Sequence, residues 1–334
     1  MSNRYIKGVI TNTPVPPTTV SAIGLWTLTQ QSQAQGNGLW PIYSQPTGTL
    51  KAIFGYGYSS AGNLAITNLV SNTGVVASDT AGVGTAREAL AAAGYGTDKA
   101  IFGYGAGENI TAVTNLVSNT GVVSSDTSGV GTARYFLAAA GYSTDKAIFG
   151  YGQVSGYQSL TNLVSNTGVV SSDTAGVGTA RQQLAATGYG TDKAIFGYGY
   201  SSAGDVSISN LVSNTGVVAS DTTGVGTVRT GLAAARYGTD KAIFGYGAGA
   251  SITAVTNLVS NTGVIASDTS GVGTARYNLA AAGYGGDKAI FGYGYSGGNV
   301  SITNLVSNTG VVSTDTTGVG TARRSLAAAG FSLT

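Results

Sequence analysis

The heptapeptide KAIFGYG occurs six times, beginning at Lys51, Lys99, Lys146, Lys193, Lys241 and Lys288, so successive copies lie 47 or 48 residues apart. Between copies the wording is nearly constant: a loop, ITNLVSNTGVVASDT, AGVGTAR, two free positions, then LAAAGYGTD. A chain written this way folds as an array in which each unit buries its apolar face against its neighbours. A longer period lies over the short one. Lys51, Lys99 and Lys146 each have a counterpart 142 residues on, and the first and fourth units share YSSAG in their loops. This reads as duplication of a three-unit block.

Each unit contains four strand-like pieces. LAAAGYG leads through Gly-Thr-Asp into KAIFGYG, ITNLV follows the loop, and VVASD follows the hairpin signal Ser-Asn-Thr-Gly. Short β runs with turn chemistry between them, in units of this length, predict a β-propeller of four-stranded antiparallel blades. Six units predict six blades. The first unit lacks a preceding LAAAGYGTD, and the last ends in LAAAGFSLT. Leu326–Phe331 is therefore expected to pair beside Ala52–Gly57 and close the ring, which also removes free sheet edges. The alternative, an open stack, calls for polar terminal caps.

Composition narrows the function. Charged residues are 9% of the chain and the net charge is +2, which argues against nucleic-acid and anionic-membrane partners. Cysteine and histidine are absent, so thiolate chemistry and the commonest general base and metal ligand are missing. No metal, cofactor or catalytic residue is expected. No apolar run is long enough to span a membrane, and the N-terminus lacks the apolar core of a secretory signal.

Six-fold repetition separates scaffold from site. Asp79, Asp126, Asp173, Asp221, Asp268 and Asp315, with Arg87, Arg134, Arg181, Arg229, Arg276 and Arg323, recur once per unit and read as structure, an Asp–Arg pair or side-chain bonds to the turn backbone, rather than as a ring of carboxylates binding cations. The tyrosines of FGYG and AGYG read as packing, and small LAAAG side chains suit a crowded innermost strand. Variation concentrates in the loop after FGYG and in the two residues after TAR or TVR. Strand parity puts both on one face, opposite the uniform Gly-Thr-Asp and Ser-Asn-Thr-Gly turns. Loops on a rigid scaffold are where binding lives, and Tyr with Ser, Gly and Asn makes an adaptable surface. The candidate binding residues on this face are Tyr58, Asn63, Glu108, Asn109, Tyr135, Phe136, Gln153, Tyr157, Tyr200, Asp205, Tyr277, Tyr295 and Asn299. Glu88, Glu108 and Asp205 are the acids outside the repeated pattern.

Residues 1–50 do not repeat. They predict an extended Pro/Thr arm, a short helix from Thr29 through Gln35, and two anchoring aromatics, Trp26 and Trp40. The arm is expected to leave from the uniform face.

Two resemblances add to this. The order Arg, two free residues, LAAAGYGTDKAIFGYG, loop, strand, turn, strand resembles a kelch repeat, with Gly55-Tyr56-Gly57 where that family has a glycine pair; the family's fourth-strand tryptophan is missing. The segment GLWTLTQQSQAQGNGLWP, with the repeat wording, resembles structural proteins of tailed bacteriophages, particularly those of cyanobacteria and marine bacteria. That resemblance implies a non-enzymatic component on the virion exterior (tail fibre, baseplate or capsid surface). It would be anchored to other virion proteins through residues 1–50, present its variable face to a host-surface glycan or receptor, and could form a homo-oligomer. A free-standing lectin-like or adhesive propeller is the alternative, and a glycan-cleaving enzyme a third.

Overall fold

The computed structural model describes residues 49–333. The expected arm, its helix and the anchors Trp26 and Trp40 lie outside the described residues. Among the described residues every regular element is a strand, arranged in six antiparallel sheets. KAIFG is the central strand of each, as in Lys99–Gly103 and Lys241–Gly245. On one side it pairs with AAAGY, as in Ala91–Tyr95, and on the other with TNLV, as in Thr114–Val117.

The expected fourth strand is not a regular strand. Val75–Asp79 and the following Thr80, like their equivalents, pair with their sheets through isolated bridges, Val70↔Val76 and Thr67↔Thr80 in the first. Side chains use the backbone groups that a continuous ladder would need. Asn68 Nδ2 donates to Ala77 O at 2.9 Å and to Asp79 Oδ1 at 2.8 Å, so the segment is pinned by an amide instead of a ladder. The fourth sheet alone gains a further strand, Arg181–Gln182, paired with Tyr200 and Ser201. In the first and fourth sheets YSSAG extends the central strand into a hairpin, Thr49–Ser59 with Gly62–Val70 and Lys193–Ser201 with Gly204–Val212.

The first sheet draws its first strand from the other end of the sequence. Ala327–Leu333 pairs antiparallel with the strand starting at Thr49, from Thr49↔Leu333 to Gly55↔Ala327.

The motif FGYG is explained by what it touches. A Cβ on Gly55 would lie 2.7 Å from the Phe102 ring, so this glycine is the socket for the next sheet's phenylalanine. Tyr56 then takes a left-handed φ of 63° and Gly57 a φ of 104°, a bulge that shifts the strand register. The bulge turns the Tyr56 ring onto Phe102, with centroids 5.1 Å apart, and both residues are fully buried.

A second contact between neighbouring sheets is polar. Arg87 leaves the first repeat and is buried on the second sheet. Its Nε donates to Tyr104 O at 2.8 Å, Nη1 to Thr85 O at 3.0 Å and Nη2 to Asn115 Oδ1 at 2.7 Å. The guanidinium stacks 4.4 Å from the Tyr56 ring centroid. Asn115 passes the contact on to Asp126, which accepts from the Thr85 amide and hydroxyl. Arg and Asp are thus joined mainly through Asn and Thr; their own charged atoms come no closer than 3.8 Å where they pair at all. The same clasp recurs at every junction, including that of the sixth sheet with the first. There Arg323 donates to Tyr56 O and Asn68 Oδ1, Thr321 bonds Asp79, and Phe54 sits against Gly292.

Replacing Arg181 by Met strands two buried acceptors, Tyr198 O and Asn210 Oδ1, and removes a third bond to Thr179 O. Chemical denaturation is expected to show a loss of about 3–5 kcal/mol, whereas Lys193→Ala, an exposed ion pair with Asp192, changes stability by less than about 1 kcal/mol. Acid titration gives a second check. Burial alone would raise the Asp126 carboxyl, but donors from Thr85 and Asn115 outweigh it and hold the group below its ordinary value of 3.8; the other five clasp aspartates behave alike. A carboxyl lowered in the folded state stabilises above its unfolded value, and that contribution goes as pH falls through the folded value. The melting temperature is therefore expected to decline once pH drops below about 4, and less steeply in Asp126→Asn.

Candidate functional site

The tail of each repeat reaches the next sheet. After each clasp arginine, one residue pairs with the residue following GYG: Arg324↔Tyr58, Glu88↔Ala106, Tyr135↔Gln153, Thr230↔Ala248 and Tyr277↔Tyr295 as bridges, and Gln182↔Tyr200 within the fourth sheet. The two variable stretches therefore meet, once per sheet.

The next residue of each tail is left-handed: Ala89, Phe136, Gln183, Gly231, Asn278 and Ser325 have φ between 50° and 60°. That conformation is costly for all but the glycine. It aims each amide at the preceding tail. Phe136 N–H bonds Ala89 O, Gln183 bonds Phe136, Gly231 bonds Gln183, Asn278 bonds Gly231, Ser325 bonds Asn278 and Ala89 bonds Ser325, all at 2.7–2.9 Å. The six residues surround a cavity of about 70 Å³ floored by Leu90, Leu137, Leu184, Leu232, Leu279 and Leu326. This backbone frame fixes the surface side chains beside it.

The candidate residues gather in clusters. Tyr277 and Tyr295 meet edge to face at 5.5 Å. Arg324 lies 5.1 Å from the Tyr295 ring centroid and 5.0 Å from that of Tyr58, and Asn299 Nδ2 donates to Tyr58 O at 3.2 Å. Glu88 adjoins this group: burial raises its carboxyl, against lowering by a hydrogen bond from Ser325 and the charge of Arg324. A second cluster joins Tyr157 and Tyr200 at 6.0 Å, and Tyr135 packs on its neighbour Phe136 at 5.1 Å. Gln153 bridges Tyr135 and Tyr157 through backbone pairing. Asn63 and Asp205 pair with Tyr58 and Tyr200. Glu108 and Asn109 are exposed at a loop tip outside these clusters.

Four buried side-chain oxygens lack a hydrogen-bond partner among the described residues: Asn63 Oδ1, Gln182 Oε1, Asp205 Oδ1 and Asn299 Oδ1. All four lie on this surface, each on a residue paired with a tyrosine: Tyr58, Tyr200, Tyr200 and Tyr295. No other buried side-chain oxygen among the described residues lacks a partner, so the unpartnered acceptors are confined to this surface, beside aromatic rings. Such an arrangement suits a ligand with hydroxyl donors and an apolar ring face.

Arg324 and Gln182 were not singled out by reading aromatics off the sequence. Their signal is the variability of the pair after the clasp arginine, irrespective of residue type. Glu88 and Glu108 belong to different repeats, yet Glu88 pairs beside Ala106, so both reach the second sheet. No group of three or more acids capable of holding a metal occurs among the described residues.

No protein-family model matches the chain, and no curated protein does.

Asp205 supplies a test of the unpartnered oxygens. Burial raises its carboxyl, so its ionised form opposes folding increasingly as pH rises above the unfolded value. Asp205→Asn, which places there the residue found at Asn63 and Asn299, is expected to raise the urea midpoint at pH 7. The gain should vanish near pH 3.

Proposed function

We propose that the six sheets are blades of a closed six-bladed β-propeller, its first blade completed by the C-terminal strand, and that the chain is a non-enzymatic binding scaffold. Its variable face binds a hydroxyl-rich ligand, a glycan of a cell surface. The observation that carries this reading is the confinement of unpartnered buried oxygens and clustered tyrosines to one face. Sugars offer C–H faces to such rings, and their hydroxyls meet such oxygens where the side chains turn outward on binding; a rigid frame limits the entropy lost. Closure is supported by clasps, phenylalanine sockets and tail hydrogen bonds that each return from the last repeat to the first.

The setting we propose is the exterior of a tailed-bacteriophage virion, on the resemblance of residues 24–41 and the repeats to such structural proteins. There residues 1–50 would attach the chain to other virion proteins. A free-standing lectin-like protein is the second reading, favoured by the same acceptor oxygens. Mass spectrometry of purified particles separates the two, since absence of the chain from virions leaves the second.

On a glycan array the full chain is expected to bind a restricted set of structures. Tyr295→Ala and Arg324→Ala should each weaken binding at least tenfold, about 1.4 kcal/mol, with unchanged melting temperature. Absence of any glycan bound, or binding unaffected by both changes, would count against this face. Polysaccharide cleavage by the chain that disappears in the triple variant Glu88→Gln, Glu108→Gln, Asp205→Asn would favour an enzyme instead.

A further inference from the structure

The first strands of the sheets alternate in burial, apart from Ala138–Tyr142, where Ala139 is also buried. In Ala91–Tyr95 the first, third and fifth residues are buried in the packing, while Ala92 and Gly94 are partly open. The six strands together line one cavity of about 260 Å³, walled mainly by alanine and glycine, with Thr97, Thr144 and Thr191 from the uniform turns and Lys99 and Lys146 beside them. The six buried leucines lie between this cavity and the variable face. The cavity is thus separate from the glycan surface and belongs to the opposite end of the strands.

One position breaks the pattern of these walls. Where the other sheets have Gly94, Gly141, Gly188, Gly283 and Gly330, the fifth has Arg236, and it lines the cavity. The six clasp arginines each satisfy their guanidinium with three acceptors. Arg236 makes no hydrogen bond and no ion pair among the described residues. Asp240 is the one charge found acting on it, from beyond ion-pair distance, and Asp240 already accepts from Asn261 Nδ2 at 3.0 Å. Arg236 is partly buried among alanines and glycines, where burial disfavours its charge against the opposing pull of Asp240 and no protein acceptor meets its fork. It is a planar fork matched to an oxyanion, within an apolar chamber carrying few polar groups.

We infer that the chamber binds a small oxyanion, a phosphate or carboxylate, on the guanidinium of Arg236. The repeat provides its own control. Arg236→Gly installs the residue that this position has in the other five sheets, so the variant is expected to fold as well as the parent.

The experiment is calorimetric titration of the full chain with inorganic phosphate and, separately, with citrate, at constant ionic strength. The parent is expected to bind at least one of them saturably with one site per chain. Arg236→Gly should lower the affinity at least tenfold, and Arg236→Lys should lower it by less. The anion should raise the melting temperature of the parent and leave that of Arg236→Gly unchanged. Failure of both probes to bind saturably overturns the inference, as does binding that persists unchanged in Arg236→Gly. Glycan binding is expected to be unaffected by Arg236→Gly, so failure here and failure on the variable face are separate results.

Discussion

A buried arginine at the end of each repeat holds the sheets together. Three hydrogen bonds and a stacked tyrosine satisfy a charge that would otherwise oppose burial, and all of its partners are themselves repeated. A buried cation without this full set would be a liability. With it, the arginine fixes the distance and rotation between two sheets, because a planar fork tolerates little displacement. The tail that follows the arginine is thereby placed on the neighbouring sheet, and with it both variable residues. Scaffold and surface therefore share one determinant.

The apolar contacts follow the same direction. Each phenylalanine enters the preceding sheet at a glycine, and each bulged tyrosine turns to meet that phenylalanine. Substituting the glycine would drive a Cβ into the ring, so the socket exists only because the side chain is absent. Direction matters, because every sheet gives a phenylalanine one way and receives one from the other.

Much of this was legible in the sequence. Repeat period, KAIFG as the strand after LAAAG, the pairing of a C-terminal strand with the first repeat (expected over Leu326–Phe331, observed over Ala327–Leu333) and the structural use of the recurring Asp and Arg all follow from repetition and turn chemistry. The fourth strand was misjudged. VVASD has strand composition, but Asn68 takes its Ala77 carbonyl, as the equivalent asparagines do in the other repeats, and a side-chain interaction across nine residues leaves no local trace. Of the two structural forms open to the recurring Asp and Arg, a direct pair or bonds to the turn backbone, the second dominates, with Asn115 and Thr85 standing between the charges. The left-handed residue of each tail was also hidden: Ala89, Phe136, Gln183, Asn278 and Ser325 share no residue type, and only the backbone unites them. Arg236 was visible as a single departure from glycine, yet its meaning depends on which way alternate residues of that strand face.

The repeat in the sequence and the sheet in space are out of phase. A repeat begins at a central strand and ends on its neighbour, so five sheets are assembled from two consecutive copies and the first sheet from the first and sixth copies. Inheritance and mechanics therefore count in different units. A recombination event that exchanges one whole copy swaps the loop of one sheet and the tail docked on the next, altering two adjacent patches of the variable surface at once. Breakpoints anywhere within the period preserve the clasp, provided the period itself is kept. Such a gene can reshuffle its surface by homologous exchange while every junction remains complementary.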